Sequence, residues 1–160
     1  MEVIRFTKVA LPYGWLGNIS PFPLEFGGKQ WRTSEALFQA LRFKDQAIQE
    51  LMREEKSPMG AKFIMKAHKE HMTIEPHSKK DVMNMKMCLK LKLQQHPSLV
   101  EELINTGDKI IIEDVTARGD KGGNLFWGAM LVDGEWVGEN TLGKLWMDLR
   151  KEYQNLHIQK

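Results

Sequence analysis

The stretch Trp31-Arg32-Thr33-Ser34-Glu35-Ala36-Leu37-Phe38-Gln39-Ala40 predicts the first helix of the chain. Thr33 or Ser34 can cap this helix, because a hydroxyl oxygen accepts a hydrogen bond from an N–H of the first turn. The large apolar side chains that follow share one helical face: Leu37, Phe38 and Leu41. The stretch therefore predicts a helix that begins after a polar cap and turns one apolar face toward a core.

The residues that precede this helix are predicted to form strands and loops. Val3–Phe6 is a short strand candidate, and Leu24–Phe26 with Lys29–Trp31 indicates a hairpin. Gly27-Gly28 lies between the two arms, and a glycine pair can adopt the positive φ angles that a two-residue turn needs. A loop rich in glycine and aromatic residues covers residues 12–18.

The residues that follow, to about residue 106, are predicted to be helical. A second helix covers about residues 45–55, and Ser57-Pro58 indicates the start of a third, because proline fits the first helical turn. Ser78 can cap a fourth helix. Its apolar residues lie near helical spacing: Val82, Met85, Cys88, Leu89 and Leu93.

The C-terminal part of the chain mixes strands with helices. Pro97 interrupts the fourth helix and a short helix follows it, while residues 110–112 form a β-branched strand. A hairpin is predicted at residues 132–136, and the last helix starts at residue 140 or 141. Its buried stripe is Leu142, Leu145, Trp146 and Leu149. These elements predict an α+β fold, a single mainly helical domain over residues 1–160 with a small β portion built from both chain ends.

Composition narrows the class of protein. The 160 residues are 42% hydrophobic and 28% charged, which is typical of a folded globular chain. No apolar run is long enough for a membrane span, and the first residues lack the pattern of a secretory signal, so we expect a cytoplasmic protein without membrane contact. The lone Cys88 excludes an internal disulfide and a four-cysteine zinc site. The net charge of +2 is too small to hold DNA by charge alone but permits a ligand that carries phosphate.

Glu35 is the first candidate for chemistry. It falls in the opening turn of the first helix, where the helix N-terminus favours its ionised form and apolar neighbours favour its neutral form. A carboxylate between these influences can act as an acid, a base or a cation stabiliser. The same position is also typical of a glutamate that only complements the helix dipole.

Four further residues are weaker candidates. Asn18 lies between glycines, where its amide can bind a ligand or simply form a turn. Lys62 can form a Schiff base with an opened sugar or remain a solvated lysine. Lys121 lies in a glycine-rich loop over residues 118–124 that can bind phosphate, although the loop is neither a Walker A motif nor a dinucleotide fingerprint. Trp127 follows and can stack on a base or pack in the core.

Three other groups of residues are weaker indications of function. His68, Glu70, His71, Glu75 and His77 form a local cluster, but their order does not match the helical zinc-protease motif. Cys88 lies in an apolar helical stripe and is predicted to be a buried, inert thiol. Methionines 83, 85 and 87 are interpreted as adaptable core filling.

Five motifs in order along the chain resemble those of the NADAR superfamily. Residues 31–40 are similar to its W-x-T-S-E-x-x-F-Q-A segment, and Tyr13-Gly14-Trp15-Leu16-Gly17-Asn18 is similar to its Y-G-x-x-S-N loop. Ser57-Pro58-Met59 with Ala61-Lys62 matches its S-P-x-x-A-K helix start. Phe126-Trp127-Gly128 resembles its Y/F-W-G element, and residues 140–150 resemble its closing N-x-L-G-x-L-x-M-x-[LV]-R helix.

This resemblance implies an α+β, mainly helical fold and an enzyme that hydrolyses an N-glycosidic bond at C1 of a ribose. Glu35 carries over as the main catalytic residue, Lys62 as a Schiff-base lysine, and Asn18 and Trp127 as substrate contacts. In this scheme Arg5 or Lys121 meets the pyrophosphate of the substrate. The scheme requires no metal and no cofactor.

Two substrate classes occur in the family: ADP-ribose on guanine in nucleic acid, and the ribosylamino-pyrimidine intermediates of riboflavin synthesis. Riboflavin-type members read T-S-E-H-Y-F-Q-A-Q-K-F, whereas here Ala36-Leu37 replaces His-Tyr and Leu41-Arg42 replaces Gln-Lys. They also carry a tryptophan near His77 and an aspartate where Asn124 stands. These differences count against the riboflavin intermediates. The resemblance then implies an ADP-ribose-bearing nucleotide or single-stranded nucleic acid as the substrate, and an ADP-ribosyltransferase toxin as a functional partner.

The alternative substrates are the riboflavin intermediates. Three alternative functions remain open. The chain is a binding module that holds ADP-ribose or a nucleotide without hydrolysing it, a metal-dependent hydrolase built on His68, His71 and Glu75, or a structural or interaction protein.

Overall fold

The computed structural model describes residues 2–158. The chain divides into two compact units: the first holds both ends of the described chain, up to Gly17 and from Pro97 onward, and the second holds Asn18–His96. Within the described residues, no helix combines the length and the apolar character needed to cross a membrane.

The secondary structure is mainly helical, with short strands, which confirms the α+β prediction. The strands are β1 (Val3–Phe6), β2 (Leu24–Phe26), β3 (Lys29–Trp31), β4 (Ile110–Glu113), β5 (Met130–Val132) and β6 (Glu135–Val137). The α-helices are α1 (Ser34–Ala40), α2 (Gln46–Glu54), α3 (Gly60–Ala67), α4 (Lys79–Gln95), α5 (Ser98–Asn105), α6 (Asn124–Trp127) and α7 (Thr141–Ile158). Two 3₁₀ turns lie at Gly14–Leu16 and Lys69–His71.

Three sequence expectations need correction. The third helix begins at Gly60 rather than at Ser57-Pro58, because a turn comes first in which the Ser57 carbonyl accepts the Gly60 N–H. A short helix that the sequence did not predict, α6, begins at Asn124, the last residue of the predicted loop. Of the three methionines, Met85 is buried, Met83 is exposed and Met87 is half-buried. Residues two apart on a helix lie on opposite sides, so these three cannot share a core face.

The unit that holds both chain ends is built around a parallel pair of strands. β1 pairs with β4 in the register Val3↔Ile110 to Phe6↔Glu113. Helix α7 packs on β4 and buries the predicted stripe of Leu142, Leu145, Trp146 and Leu149. The indole N–H of Trp146 donates to the Leu16 carbonyl at 3.0 Å, which ties the N-terminal segment to the last helix.

The start of α7 is fixed against β4 by Asn140 and Gly143. Asn140 has a left-handed backbone (φ 53°), and its side-chain amide donates to the Ile111 carbonyl at 2.9 Å and accepts from the Glu113 N–H at 3.0 Å. A Cβ atom on Gly143 would lie 2.2 Å from the Ile111 carbonyl oxygen. The helix can therefore approach the strand this closely only because residue 143 has no side chain.

The unit Asn18–His96 is arranged around α1, which contacts α2, α3, α4 and β3. All seven residues of α1 are buried. The Thr33 hydroxyl accepts the Ala36 N–H at 3.1 Å, which confirms the predicted cap. The predicted hairpin is also present, with φ of 62° at Gly27 and 75° at Gly28. A seven-residue helix is too short to be stable alone, so α1 depends on this packing.

We expect Gly143→Ala to lower the free energy of unfolding by about 1–3 kcal/mol, because the added methyl overpacks the contact with β4. Helix propensity alone predicts the opposite sign, since alanine in a helix interior is better than glycine by up to about 1 kcal/mol. Urea denaturation checks the sign. The exposed Lys144→Ala is the control and should stay within about 0.5 kcal/mol of wild type. A Gly143→Ala protein as stable as wild type would contradict the steric argument.

Candidate active site

The Glu35 side chain is buried in the first turn of α1, with 5% of the residue exposed. Its backbone N–H donates to the Asn18 carbonyl at 3.1 Å, which anchors the turn. Its carboxylate oxygen Oε1 accepts a hydrogen bond from Gln39 Nε2 at 2.9 Å, one helical turn further on. The carboxylate is thus held in place by the protein rather than by bulk water.

Lys62 approaches the same carboxylate oxygen from α3. Its Nζ atom lies 3.9 Å from Glu35 Oε1, and 33% of the Lys62 side chain is exposed against 6% for Glu35. The structure therefore brings together two residues that are far apart in the sequence, one buried acid and one accessible amine. An amine with this exposure can reach a substrate that arrives from solvent.

The second carboxylate oxygen of Glu35, Oε2, accepts no hydrogen bond from residues 2–158. Every side-chain nitrogen or oxygen that is wholly buried in this part of the chain has a hydrogen-bond partner. Oε2 therefore keeps some contact with solvent. One oxygen of the carboxylate is held by the protein, and the other keeps a small contact with solvent through which a bound molecule could reach it.

Asn18 braces the start of α1. Its side-chain oxygen accepts from the Ser34 hydroxyl at 2.9 Å, and its Nδ2 donates to the Met85 sulfur at 3.1 Å. Asn18 is buried, so both polar atoms of its amide act within the protein. Contact with substrate, the role carried over from the family motif, stays a prediction.

A chain of buried polar side chains continues from Gln39, and the sequence did not indicate it. Arg42 Nη1 donates to Gln39 Oε1 at 3.2 Å. The other guanidinium nitrogens of Arg42 bind both oxygens of Asp81, with Nε–Oδ1 at 2.9 Å and Nη2–Oδ2 at 2.7 Å. The Arg42 and Asp81 side chains are only 5% and 0% exposed. The available signal was a charged residue, Arg42, between the apolar Leu41 and Phe43.

Lys92 is a second buried charge that sequence reasoning missed. It lies on α4 one turn beyond Cys88 and is fully buried. Its Nζ donates to the Ser20 hydroxyl at 2.8 Å and lies 5.2 Å from the centre of the Phe22 ring. Burial lowers the pKa of Lys92 from 10.5 to about 7. The spacing Met85, Cys88, Lys92 would have placed this lysine in the apolar stripe.

Cys88 faces the same interior. It is fully buried, and burial first and the charge of Glu35 second raise the pKa of its thiol far above the ordinary value. The prediction of a buried thiol is confirmed. A thiol that does not ionise is a poor nucleophile, so Cys88 is a packing residue.

Arg5, Lys121 and Trp127 belong to the unit built from the chain ends. Arg5 is exposed and lies 3.8 Å from Asp114. Lys121 is exposed in the loop before α6, and Trp127 is half-buried with its ring edge-on to Phe126 at 4.9 Å. Their roles in binding pyrophosphate or a base stay predictions.

The histidine cluster does not assemble a metal site. The rings of His68 and His71 lie 6.5 Å apart between their centres. Across residues 2–158, no three side chains of His, Cys, Asp or Glu come together in a way that could hold a metal ion.

Comparison with known proteins gives a consistent result. A family model for the NADAR domain matches residues 5–154. The N-glycosidase YbiA of Escherichia coli is 30% identical over 150 residues, which are 94% of this chain and 88% of YbiA. An N-glycosidase of Nostoc punctiforme is 30% identical over 156 residues, which are 96% of this chain and 94% of that protein. A riboflavin biosynthesis protein of Vibrio vulnificus is 28% identical over 156 residues, which are 96% of this chain and 39% of that protein.

The fold is also similar to a solved structure. The NMR structure of Escherichia coli YbiA matches with a TM-score of 0.72 and 29% sequence identity, covering 99% of this chain and 89% of YbiA.

Lys92 generates a prediction about stability. Below pH 7 the native and unfolded chains both carry the lysine proton, so burying the charge destabilises the fold in full. Between pH 7 and 10.5 the native lysine is neutral while the unfolded lysine stays charged, so the destabilisation fades as pH rises. We expect Lys92→Met to be more stable than wild type near pH 7, with the difference shrinking by about 1 kcal/mol or more toward pH 9.

Chemical denaturation at a series of pH values measures this difference. Lys80→Met, at an exposed position of the same helix, is the control and should show no such trend. A constant difference between Lys92→Met and wild type from pH 6 to pH 10 would contradict the argument.

Proposed function

This chain belongs to the NADAR family and is a hydrolase that acts on N-glycosyl bonds, and from that premise we propose that it removes ADP-ribose from ADP-ribosylated guanine in nucleic acid. The observation that carries the proposal is the pair formed by Glu35 and Lys62. A buried carboxylate and an accessible amine lie 3.9 Å apart, and the carboxylate keeps one oxygen open.

The carboxylate suits the charge that the reaction develops. Breaking the bond between C1 of a ribose and a nitrogen builds positive charge on C1 and on the ring oxygen. A fixed carboxylate beside that face stabilises the charge or activates a water molecule. Glu35 has the required burial and an open oxygen, Oε2.

Lys62 supports a second route through an imine. After the ribose ring opens, C1 is bonded to the guanine nitrogen as an imine. Lys62 adds to C1 as a neutral amine, the C1–N bond to guanine breaks, and the base leaves as its free amine. Water then hydrolyses the imine between C1 and Nζ, which releases the sugar aldehyde and regenerates Lys62. Glu35 accepts the ammonium proton of Lys62 and returns it to the departing nitrogen.

The choice of substrate rests on sequence differences from the riboflavin-type members and on side chains of the unit that holds the chain ends. Ala36-Leu37 and Leu41-Arg42 replace the residues typical of riboflavin-type members, and Asn124 stands where they carry an aspartate. Arg5 and Lys121 are exposed cations that can meet a pyrophosphate, and Trp127 can hold the guanine ring by stacking. An enzyme that attaches ADP-ribose to guanine, such as a toxin, would supply this substrate.

The alternative substrate is a ribosylamino-pyrimidine intermediate of riboflavin synthesis. The similarity to the Vibrio vulnificus riboflavin biosynthesis protein favours it. Both substrates present a ribose C1 bonded to an exocyclic nitrogen, so the same pair of residues serves either reaction.

Offering the two substrates side by side tests the proposal. We expect release of ADP-ribose from a single-stranded oligonucleotide that carries ADP-ribosylguanine, and slower or no release of ribose phosphate from the riboflavin intermediate. Chromatography of the products measures both rates. Preferential cleavage of the riboflavin intermediate would overturn the assignment of substrate.

Glu35→Gln is the matched control, because it keeps the size of the side chain and removes its charge. We expect this variant to fold and to bind substrate, with turnover reduced by a factor of about 10² or more. Near-normal turnover by Glu35→Gln would end the proposed role of the carboxylate.

The imine route makes a separate prediction. Sodium borohydride added during turnover should reduce the imine and leave the sugar attached to Lys62, which peptide mass spectrometry detects. Lys62→Met should lose both the adduct and most of the activity, whereas Lys66→Met, at an exposed position one turn further along α3, should keep both. A fully active enzyme that forms no adduct would leave only the direct hydrolytic route.

A further inference from the structure

We propose that Gln39 is a positioning residue for Glu35 and that the ion pair of Arg42 with Asp81 holds Gln39 in its working orientation. In this arrangement Oε1 of Glu35 is held by the protein and Oε2 is left for the substrate. The inference rests on the proposed role of Glu35 in cleaving the N-glycosyl bond.

The orientation of the Gln39 amide follows from the chemistry of Arg42. A guanidinium group can only donate hydrogen bonds, so the end of the amide that faces Arg42 must be the oxygen. Arg42 Nη1 lies 3.2 Å from Gln39 Oε1. The NH₂ end must then point the other way, where it donates to Glu35 Oε1 at 2.9 Å. Arg42 therefore determines that Glu35 receives a donor and not an acceptor.

Arg42 is itself fixed in place. Two of its nitrogens form parallel hydrogen bonds with the two oxygens of Asp81, and its guanidinium lies 4.7 Å from the centre of the Phe38 ring. Asp81 accepts a further hydrogen bond from the His77 N–H at 2.9 Å, and its own N–H donates to the Ser78 hydroxyl at the start of α4. The chain of contacts thus connects the first turn of α4 to the first turn of α1.

The groups around Glu35 show what Gln39 contributes. Lys62 faces the carboxylate from α3 at 3.9 Å, and the Cys88 thiol faces it from α4. The buried residues of α2 are the apolar Ile48 and Met52. Among residues 2–158, Gln39 is the side chain that donates a hydrogen bond to the carboxylate, so it is the group that can hold Oε1 in one place.

Arginine at position 42 is what makes the arrangement rigid. A lysine there would carry the same charge, but its single ammonium group on a flexible stem cannot bind both Asp81 oxygens and Gln39 in one plane. The substitution Arg42→Lys therefore keeps the charge near the site and removes the geometry. This separates positioning of Gln39 from the electrostatic effect of a nearby cation.

The test compares Gln39→Met, Arg42→Lys and the double variant with wild type, using the N-glycoside that the wild-type enzyme cleaves faster. Gln39→Met keeps the length of the side chain and removes its donor. We expect kcat of Gln39→Met to fall about tenfold with KM little changed, because a carboxylate that is no longer held loses its position relative to the reacting carbon.

Arg42→Lys should lower kcat in the same way, by a smaller factor than Gln39→Met. Because both changes break one chain of contacts, the double variant should lose no more activity than Gln39→Met alone. Gln46→Met, at an exposed position of α2, is the control and should leave kcat and KM unchanged.

A purely structural role for Gln39 predicts a different result. Melting temperatures would fall and the amount of folded enzyme with them, while kcat per folded molecule, measured well below the melting temperature, would stay at the wild-type value; that outcome overturns the proposal. Additive losses of kcat in the double variant would overturn the part assigned to Arg42. If Glu35→Gln turns over normally, the proposed role of Glu35 fails; if Glu35→Gln is inactive and Gln39→Met keeps the wild-type kcat, only the positioning role fails.

Discussion

Burying a carboxylate is costly unless hydrogen-bond donors and positive charge surround it. Glu35 lies in the first turn of a helix whose residues are all buried, and much of the unit Asn18–His96 is arranged to supply what this carboxylate needs. The helix N-terminus faces it, Gln39 donates to it, and Lys62 places a positive charge 3.9 Å from it. The position of Glu35 thus explains why so many polar groups are buried in a small unit.

These buried polar groups are not an efficient way to stabilise a fold. A buried ion pair such as Arg42 with Asp81 contributes less to stability than apolar packing of the same volume often would. Burial of Lys92, which lowers its pKa to about 7, opposes folding at neutral pH. Such groups are better explained by the orientation they impose. Arg42 sets the direction of an amide, and Lys92 holds Ser20, two residues beyond the Asn18 that braces α1.

Much of the fold could be predicted because its signals are local. The caps at Thr33 and Ser78 and the turn glycines are read from a few neighbouring residues, and α1 and α4 begin directly after these two caps as predicted. The start of α3 was misplaced because a turn and a helix share the Ser57-Pro58 signal. The contact of Arg42 with Asp81 joins residues 39 positions apart, and no spacing rule predicts such a pair.

In the candidate site, too, the features that depend on neighbouring residues could be predicted, and those that depend on contacts between distant residues could not. Glu35 could be found from its place at a helix start, but its nearness to Lys62 depends on how α3 packs on α1 and was expected only from the family resemblance. Gln39 belongs to the motif at residues 31–40, but the sequence could not assign it a role. The role of an amide depends on which partner its oxygen faces and which its NH₂ group faces. Glycine 143 gave no local signal either, since its importance lies in the carbonyl of Ile111, 2.2 Å from where a Cβ would be.

In the proposed reaction the two residues of the pair meet different physical demands. There Glu35 must keep a fixed position relative to C1 of the sugar, and its place on a buried helix with a held oxygen provides that precision. On the proposed imine route Lys62 must approach the carbon, form a bond and then release it, and a partly exposed side chain with four methylene groups provides that reach. At 3.9 Å the amine lies outside hydrogen-bond distance of the carboxylate, so it is not tied to it. In this proposed scheme Arg42 and Gln39 keep the acid in place while the lysine moves.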